Sequence, residues 1–245
     1  KDGGKSWKRS EMNSTIHSSV AAIESNGTYV WALQKNGDLS VSKNYGVSFD
    51  EIYNFPQNQR VVSFIDAKDL GLFVLLENGS LMRSLSNGEE WVSHGLAPMG
   101  LQNPQLFYLG NNLGIAADRS LCYFASIDVL DEWTLSNEVK NYPLPKTLHS
   151  IQSGKKYTYL RYENFVLTLD DHRRLIDSLE YFDGFQSCYG ISKDSIILCL
   201  GNSLLLHHNG ETSPYSLISN SSPLYKKIVV NKTFLFNNEV FIVGD

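Results

Sequence analysis

Four aromatic residues, Trp7, Phe49, Trp91 and Trp133, stand at one spacing of 42, three times over. Each closes a short segment, and the four segments align without gaps: 1–7, 42–49, 84–91 and 126–133. A fixed period of this length marks a chain built from copies of one supersecondary unit, none of which buries its apolar face alone. The 245 residues hold about six such units.

Each unit reads as four short strands. In the first complete one, 20–24, 29–34, 39–43 and 47–53 are rich in β-branched and aromatic residues and are separated by turn residues. A hairpin signal recurs between the second and third strands as Asn36-Gly37 and Asn78-Gly79, again 42 apart. Arg119-Ser120, Asn164, Gly201-Asn202 and Asn237-Asn238 take that place later in the chain.

First strands are expected near 19–24, 61–66, 105–108, 148–152, 186–189 and 226–230. Fourth strands are expected near 5–12, 47–54, 89–94, 132–137, 174–180 and 212–219. The tally predicts an all-β, six-bladed β-propeller of four-stranded antiparallel blades. The chain opens on a fourth strand and finishes on a third, 239–244, so pairing the two closes the ring and removes its exposed edges. The expectation is a single domain over 1–245. The first residue, Lys1, is consistent with a domain taken from a larger chain.

The four segments resemble the Asp-box, or BNR, repeat, Ser-x-Asp-x-Gly-x-Thr-Trp. The match runs through Asp2, Gly4, Ser6 and Trp7, and through Ser42, Asn44, Gly46, Ser48 and Phe49. It is partial at Ser84, Gly88 and Trp91, where Ser86 replaces the acid. It is partial again at Ser126, Asp128 and Trp133, where Leu130 replaces the glycine. A fifth box falls at 170–175 and is nearly erased, and a sixth near 207–210 is degenerate. The resemblance implies a propeller of the kind found in sialidases and other glycoside hydrolases, sortilin-type receptors, photosystem assembly factors and phage structural proteins. In the box itself, the Asp or Asn accepts hydrogen bonds from turn backbone, the glycine supplies positive φ, and the aromatic packs between blades. These residues therefore read as scaffold rather than as a catalytic acid repeated round a ring.

Composition narrows the function. A net charge of −5 without a run of one sign gives no nucleic-acid surface. No apolar run approaches the roughly 20 residues that span a bilayer. Cys122, Cys188 and Cys199 lack metal-ligand spacing and read as buried strand thiols, with a Cys188–Cys199 bridge as the sharper alternative. Sequons begin at Asn13, Asn26, Asn78, Asn220 and Asn231, which leans toward an extracellular or virion-associated chain.

Enzyme chemistry finds little support. The resemblance implies, for a sialidase, an arginine triad on inner strands, yet of the seven arginines only Arg60 begins one. The Phe-Arg-Ile-Pro motif that opens many sialidases is absent, and Arg60 lies between Gln59 and Val61. Glu24 and Asp66, 42 apart at strand ends, read as one repeat position rather than as a catalytic pair. His207 and His208 are neighbours on a strand, so they point to opposite faces and do not share a metal. No cofactor motif is present.

The loops that lead from fourth to first strands are irregular over a regular scaffold, which is where binding residues concentrate. They offer Gln57, Gln59, Arg60, Met99, Leu101, Tyr142, Lys146, Tyr181 and Phe182 as a candidate binding face. The reading is a non-enzymatic binding or scaffold propeller for a protein or a cell-surface glycan. A sialidase-like glycoside hydrolase is the alternative.

Overall fold

The computed structural model describes residues 16–49, 51–119, 121–140, 147–153, 156–163, 165–180, 187–193, 195–200, 203–214, 230–236 and 239–244. They form five four-stranded sheets and one two-stranded sheet, each with its strands in sequence order. The first sheet is β1 (Val20–Ser25), β2 (Val30–Gln34), β3 (Leu39–Ser42) and β4 (Glu51–Tyr53). The second is β5 (Val61–Asp66), β6 (Leu72–Leu76), β7 (Ser80–Ser84) and β8 (Val92–Leu96). The third is β9 (Gln105–Leu109), β10 (Asn112–Ala117), β11 (Leu121–Ser126) and β12 (Val129–Leu135). The fourth is β13 (Leu148–Gln152), β14 (Tyr157–Tyr162), β15 (Phe165–Asp170) and β16 (Leu175–Glu180). The fifth is β17 (Ser187–Ser192), β18 (Ser195–Leu200), β19 (Ser203–His208) and β20 (Glu211–Pro214). The last pair is β21 (Val230–Phe236) and β22 (Glu239–Gly244). Helix is confined to single turns: α1 (Asn137–Lys140) and 3-10 turns at Pro56–Asn58 and Lys68–Leu70.

Residues 1–15 and 215–229 lie outside the described set, and with them the expected strand 5–12, Asp2, Gly4 and Trp7, and most of the strand expected at 226–230. Among the described fourth strands β16 lies where it is expected, β12 begins three residues early, and β4 and β8 begin late, β4 within its expected place. Ahead of β4 and β8 the turn uses its residues in side-chain hydrogen bonds before pairing begins.

The chain gathers into two compact units. One comprises residues 1–100, 104–106 and 125–133, the other 101–103, 107–124 and 134–245. In the first, the second strands are apolar on both faces and nearly continuous in burial, as strands covered on both sides must be. Trp31, Leu33, Leu39 and Val41 of the first sheet pack with Phe64, Leu72, Val74 and Met82 of the second. Trp91 meets Tyr53 and Phe55 edge-on, at centroid distances of 5.7 and 5.2 Å. In the second unit Phe107 and Phe124 pack edge to face. Tyr159, Val166, Ile196 and Leu198 form a further core.

Register fixes which residues of the repeat correspond. The first residue of each second strand faces the last residue of the third: Val30 and Ser42, Leu72 and Ser84, Tyr157 and Asp170, Ser195 and His208. The first strands carry matching bulges, at Val20/Ala22, Val61/Ser63 and Leu148/Ser150. Counted from that bulge, Asp66 corresponds to Ser25 rather than to Glu24, which corrects the 42-residue pairing. The turn 67–71 is one residue longer than 26–29, so the first strands repeat at 41 and the second strands return to 42. Both residues do one job: Ser25 Oγ accepts from Gly27 N at 3.1 Å and Asp66 Oδ1 from Lys68 N at 3.0 Å. Asp66 is thereby a buried turn acceptor.

Of the two readings of the cysteines, strand thiols fit Cys122 and Cys188. Register sets Cys188 against Leu198 and Cys199 against Ser187, one step apart, and Cys188 is a thiol. Cys122 is fully buried, and burial pushes its thiol pKa up.

Candidate functional site

Ser42 Oγ accepts the N–H of Asn44 at 3.4 Å and of Gly46 at 2.9 Å. Asn44 Oδ1 then accepts from Ser48 N at 3.0 Å. Ser84 repeats the pattern with Ser86 N at 3.2 Å and Gly88 N at 2.8 Å, and Ser86 Oγ stands in for the missing acid by accepting from Glu90 N. Gly88 has φ +94, and a Cβ there would meet the Tyr53 hydroxyl and ring. Tyr53 itself donates to Asn87 O at 3.0 Å, and Trp133 Nε1 donates to Leu96 O at 2.8 Å. Asp128 N donates to Ser126 Oγ, and Phe49 is buried.

Asp170 holds the fifth turn in the same way. Its Oδ1 accepts from His172 N at 3.0 Å and Arg174 N at 2.9 Å, the same two offsets that Ser42 and Ser84 serve. Arg174 closes on the other oxygen through Nε at 2.9 Å and Nη2 at 2.6 Å. Burial works to raise the Asp170 carboxyl, but the Arg174 side chain and the N–H groups of Arg174 and His172 together outweigh it. The group titrates below the ordinary carboxylate range. Asp170, Asp171 and His172 bring ligand atoms within 4.8 Å of one another. Asp170 is committed to its turn, however, and Asp171 meets His172 Nδ1 at 2.8 Å.

The loop face of the first unit is built on the opposite strand ends. Gly37 N donates to Gln34 O, and Gly37 O accepts from Val61 N at 3.0 Å, which pins the 54–60 loop to the hairpin turn. A Cβ at Gly37 would stand 2.6 Å from the Arg60 Cβ, so the arginine stem lies on the bare glycine and leaves its side chain exposed. Gln34 Oε1 gathers His17 N and Ser18 N at 2.8 and 2.9 Å, bringing the entering chain to the same turn. The Asn78-Gly79 turn repeats the device, with Ala97 N donating to Gly79 O at 2.8 Å.

Of the sequence-predicted residues, Gln57 lies in the Pro56–Asn58 turn, and Gln59 is half-buried with an Oε1 that has no partner among the described residues. Met99 is 98% exposed, while Leu101 is half-buried. Tyr142, Lys146, Tyr181 and Phe182 lie outside the described residues. The structure thus joins Arg60 to the 36–37 turn. Sequence reasoning missed Gln34 as the bridging residue. Its only signal was a buried polar position at a strand end.

The arginines other than Arg60 go largely to structure. Arg83 donates to Leu70 O and lies over Phe73, and Arg161 donates to Ser150 Oγ. Arg173 donates to Asn112 Oδ1 at 2.8 Å and lies over Phe124. His207 is buried and His208 exposed, on opposite faces of β19.

No family model and no curated protein matches the sequence. Solved structures do match. PorZ, a bacterial surface component of the type-IX secretion system of Porphyromonas gingivalis, superposes with a TM-score of 0.62 at 13% identity, over 85% of this chain and 27% of that one. BBS1N superposes with a TM-score of 0.59 at 11% identity, over 94% and 90%. The computationally designed protein Ika8 gives 0.64 at 9% identity, over 92% and 68%. The chain therefore spans about a quarter of the PorZ length. PorZ and BBS1N are β-propeller proteins, and the likeness shows that this chain has the β-propeller fold. Among the described residues no helix is long and apolar enough to cross a membrane.

Proposed function

We propose that the chain is a six-bladed propeller of the Asp-box type, closed by pairing of its first and last strands, and that it acts as a non-enzymatic binding module. Its partner is a protein or a surface glycan, and its setting is extracellular or virion-associated. The observation that carries the reading is the division of labour between the two ends of the strands. One end is tied up in box turns by backbone hydrogen bonds. The other end presents Arg60 and Met99 on loops pinned by backbone to hairpin turns. Rigid placement of a few exposed side chains lowers the entropy lost on binding.

Two further facts support it. Arg83, Arg161, Arg173 and Arg174 are engaged in structural contacts, which leaves no described arginine triad for a substrate carboxylate. BBS1N, similar in fold, is a propeller whose structure holds a complex with ARL6DN. Closure by the N-terminal strand predicts that deleting residues 1–12 speeds amide exchange in β22. Unchanged exchange there would leave the ring without its proposed closing strand.

The binding reading is tested on a glycan array and by pull-down with a defined partner once one is found. R60E and M99A are expected to lose binding while Y45A, on a box turn, keeps it. Retention by R60E and M99A with loss in Y45A would move the site to the box end.

A further inference from the structure

The chain contains five Asn-Gly pairs, at 26–27, 36–37, 78–79, 87–88 and 209–210. In such a pair the glycine nitrogen reaches the Cγ of the preceding Asn through a five-membered ring, and no glycine Cβ obstructs the approach. Four of the five glycine nitrogens are already engaged. Gly27 N donates to Ser25 Oγ at 3.1 Å and Gly88 N to Ser84 Oγ at 2.8 Å. Gly37 N and Gly79 N donate to Gln34 O and Leu76 O, both at 2.9 Å. Gly210 is the exception: its N–H makes no hydrogen bond among the described residues. We propose that Asn209 is a modification site, at which the chain converts its own carboxamide to aspartate and isoaspartate with His208 as proton donor.

Asn209 and Gly210 form the two-residue turn between β19 and β20, are exposed, and have φ of +51 and +83. A Cβ at Gly210 would meet nothing within 4 Å, whereas one at Gly37 or Gly88 would meet Arg60 or Tyr53. β20 has only four residues and pairs on one side within its sheet, so the turn opens at low cost. The leaving group is already placed: Asn209 Nδ2 stands 3.0 Å from His208 Nε2. The amide nitrogen is a donor, so Nε2 accepts and the ring proton lies on Nδ1, 2.6 Å from Ser195 Oγ. Ser195 is buried and fixes the imidazole. The reaction balances with water as its co-reactant. Gly210 N bonds to Asn209 Cγ and releases its proton to solvent. In the adduct Nδ2 is an amine. His208, charged by a proton from solvent, passes that proton from Nε2 to Nδ2 as the Cγ–Nδ2 bond breaks, and ammonia departs. Water then opens the imide at either carbonyl. One opening leaves a carboxylate in place of the carboxamide. The other also adds a methylene to the backbone between His208 and Glu211.

The test is peptide mapping of the whole purified chain, aged at neutral pH and body temperature. Conversion is read from the mass gained when an amide becomes an acid, and isoaspartate from chromatographic separation of the two products. Asn209 is expected to convert first, roughly threefold or more faster than each of the other four pairs, since no hydrogen bond has to be broken. H208Q is expected to slow Asn209 roughly tenfold or more. Asn36 and Asn78 are expected to keep their rates in H208Q, which also reports that the fold is kept. The ranking needs no variant and decides the proposal if H208Q does not fold. Conversion of another pair as fast as Asn209 overturns it, as does an Asn209 rate that H208Q leaves unchanged or raises in a folded chain.

Discussion

At the scale of single residues, one hydrogen-bonding position recurs along the chain and is filled by two residue types, serine and aspartate. Ser42, Ser84 and Asp170 each end a third strand and each accept the N–H groups two and four residues on. Ser84 is buried, so S84A strands two turn donors and is expected to cost about 1–3 kcal/mol. Urea denaturation followed by far-UV dichroism measures it. Asp170 adds a charge to the same task. Its folded pKa is depressed, so its contribution is present above the unfolded value near pH 4 and is lost as pH falls through the folded value. D170N is expected to remove this acid-side dependence and to lower stability at neutral pH, with thermal melts from pH 2 to 7 as the measurement.

The same residue shows the limit of sequence reading. The fifth box, at 170–175, reads from sequence as nearly erased because the 42-residue step from Ser126 arrives at Thr168, whereas register ends the strand at Asp170 and its carboxylate holds the turn. The second, third and fourth strands of the fourth sheet are longer than those of the first, and Asp replaces Ser, so both spacing and residue type changed together. Asn36-Gly37 and Asn78-Gly79 were legible because a tight hairpin demands positive φ, and Gly37 and Gly79 adopt +90 and +85. The offset of Asp66 from Ser25 was hidden because an added turn residue restores the period one strand later. Arg60 was legible as a loop arginine, yet its seat on Gly37 depends on a contact 23 residues away that no local pattern encodes.

At the scale of elements, the sheets are joined by aromatics and by polar side chains that reach a neighbour's backbone. Trp91 fills the gap between β4 and β8 against Tyr53 and Phe55. W91A removes that packing and is expected to cost about 3 kcal/mol, read from the urea midpoint. Within the first unit, Ser63 Oγ ties β5 to Leu106 N at 2.9 Å. Within the second, Gln152 exchanges two hydrogen bonds with Gly190, at 2.7 and 3.0 Å, and so ties β13 to β17. Q152A leaves the Gly190 N–H and C=O without these partners. Faster amide exchange at Gly190, with β1 unaffected, is the expected signature by hydrogen-exchange mass spectrometry.

At the scale of the whole molecule, the β-propeller fold places regular turns at one end of each sheet and irregular loops at the other. The arginines that a sialidase would turn toward a substrate carboxylate are instead fastened to Leu70 O, Ser150, Asn112 and Asp170. Binding without turnover is the proposed function, and the loops that carry Arg60 and Met99 are where it is expected. The measurement closest to this claim is hydrolysis of a fluorogenic sialoside by the purified chain, run beside R60A. The account predicts release no faster than in buffer for both proteins. Turnover by the parent chain that R60A abolishes would contradict it.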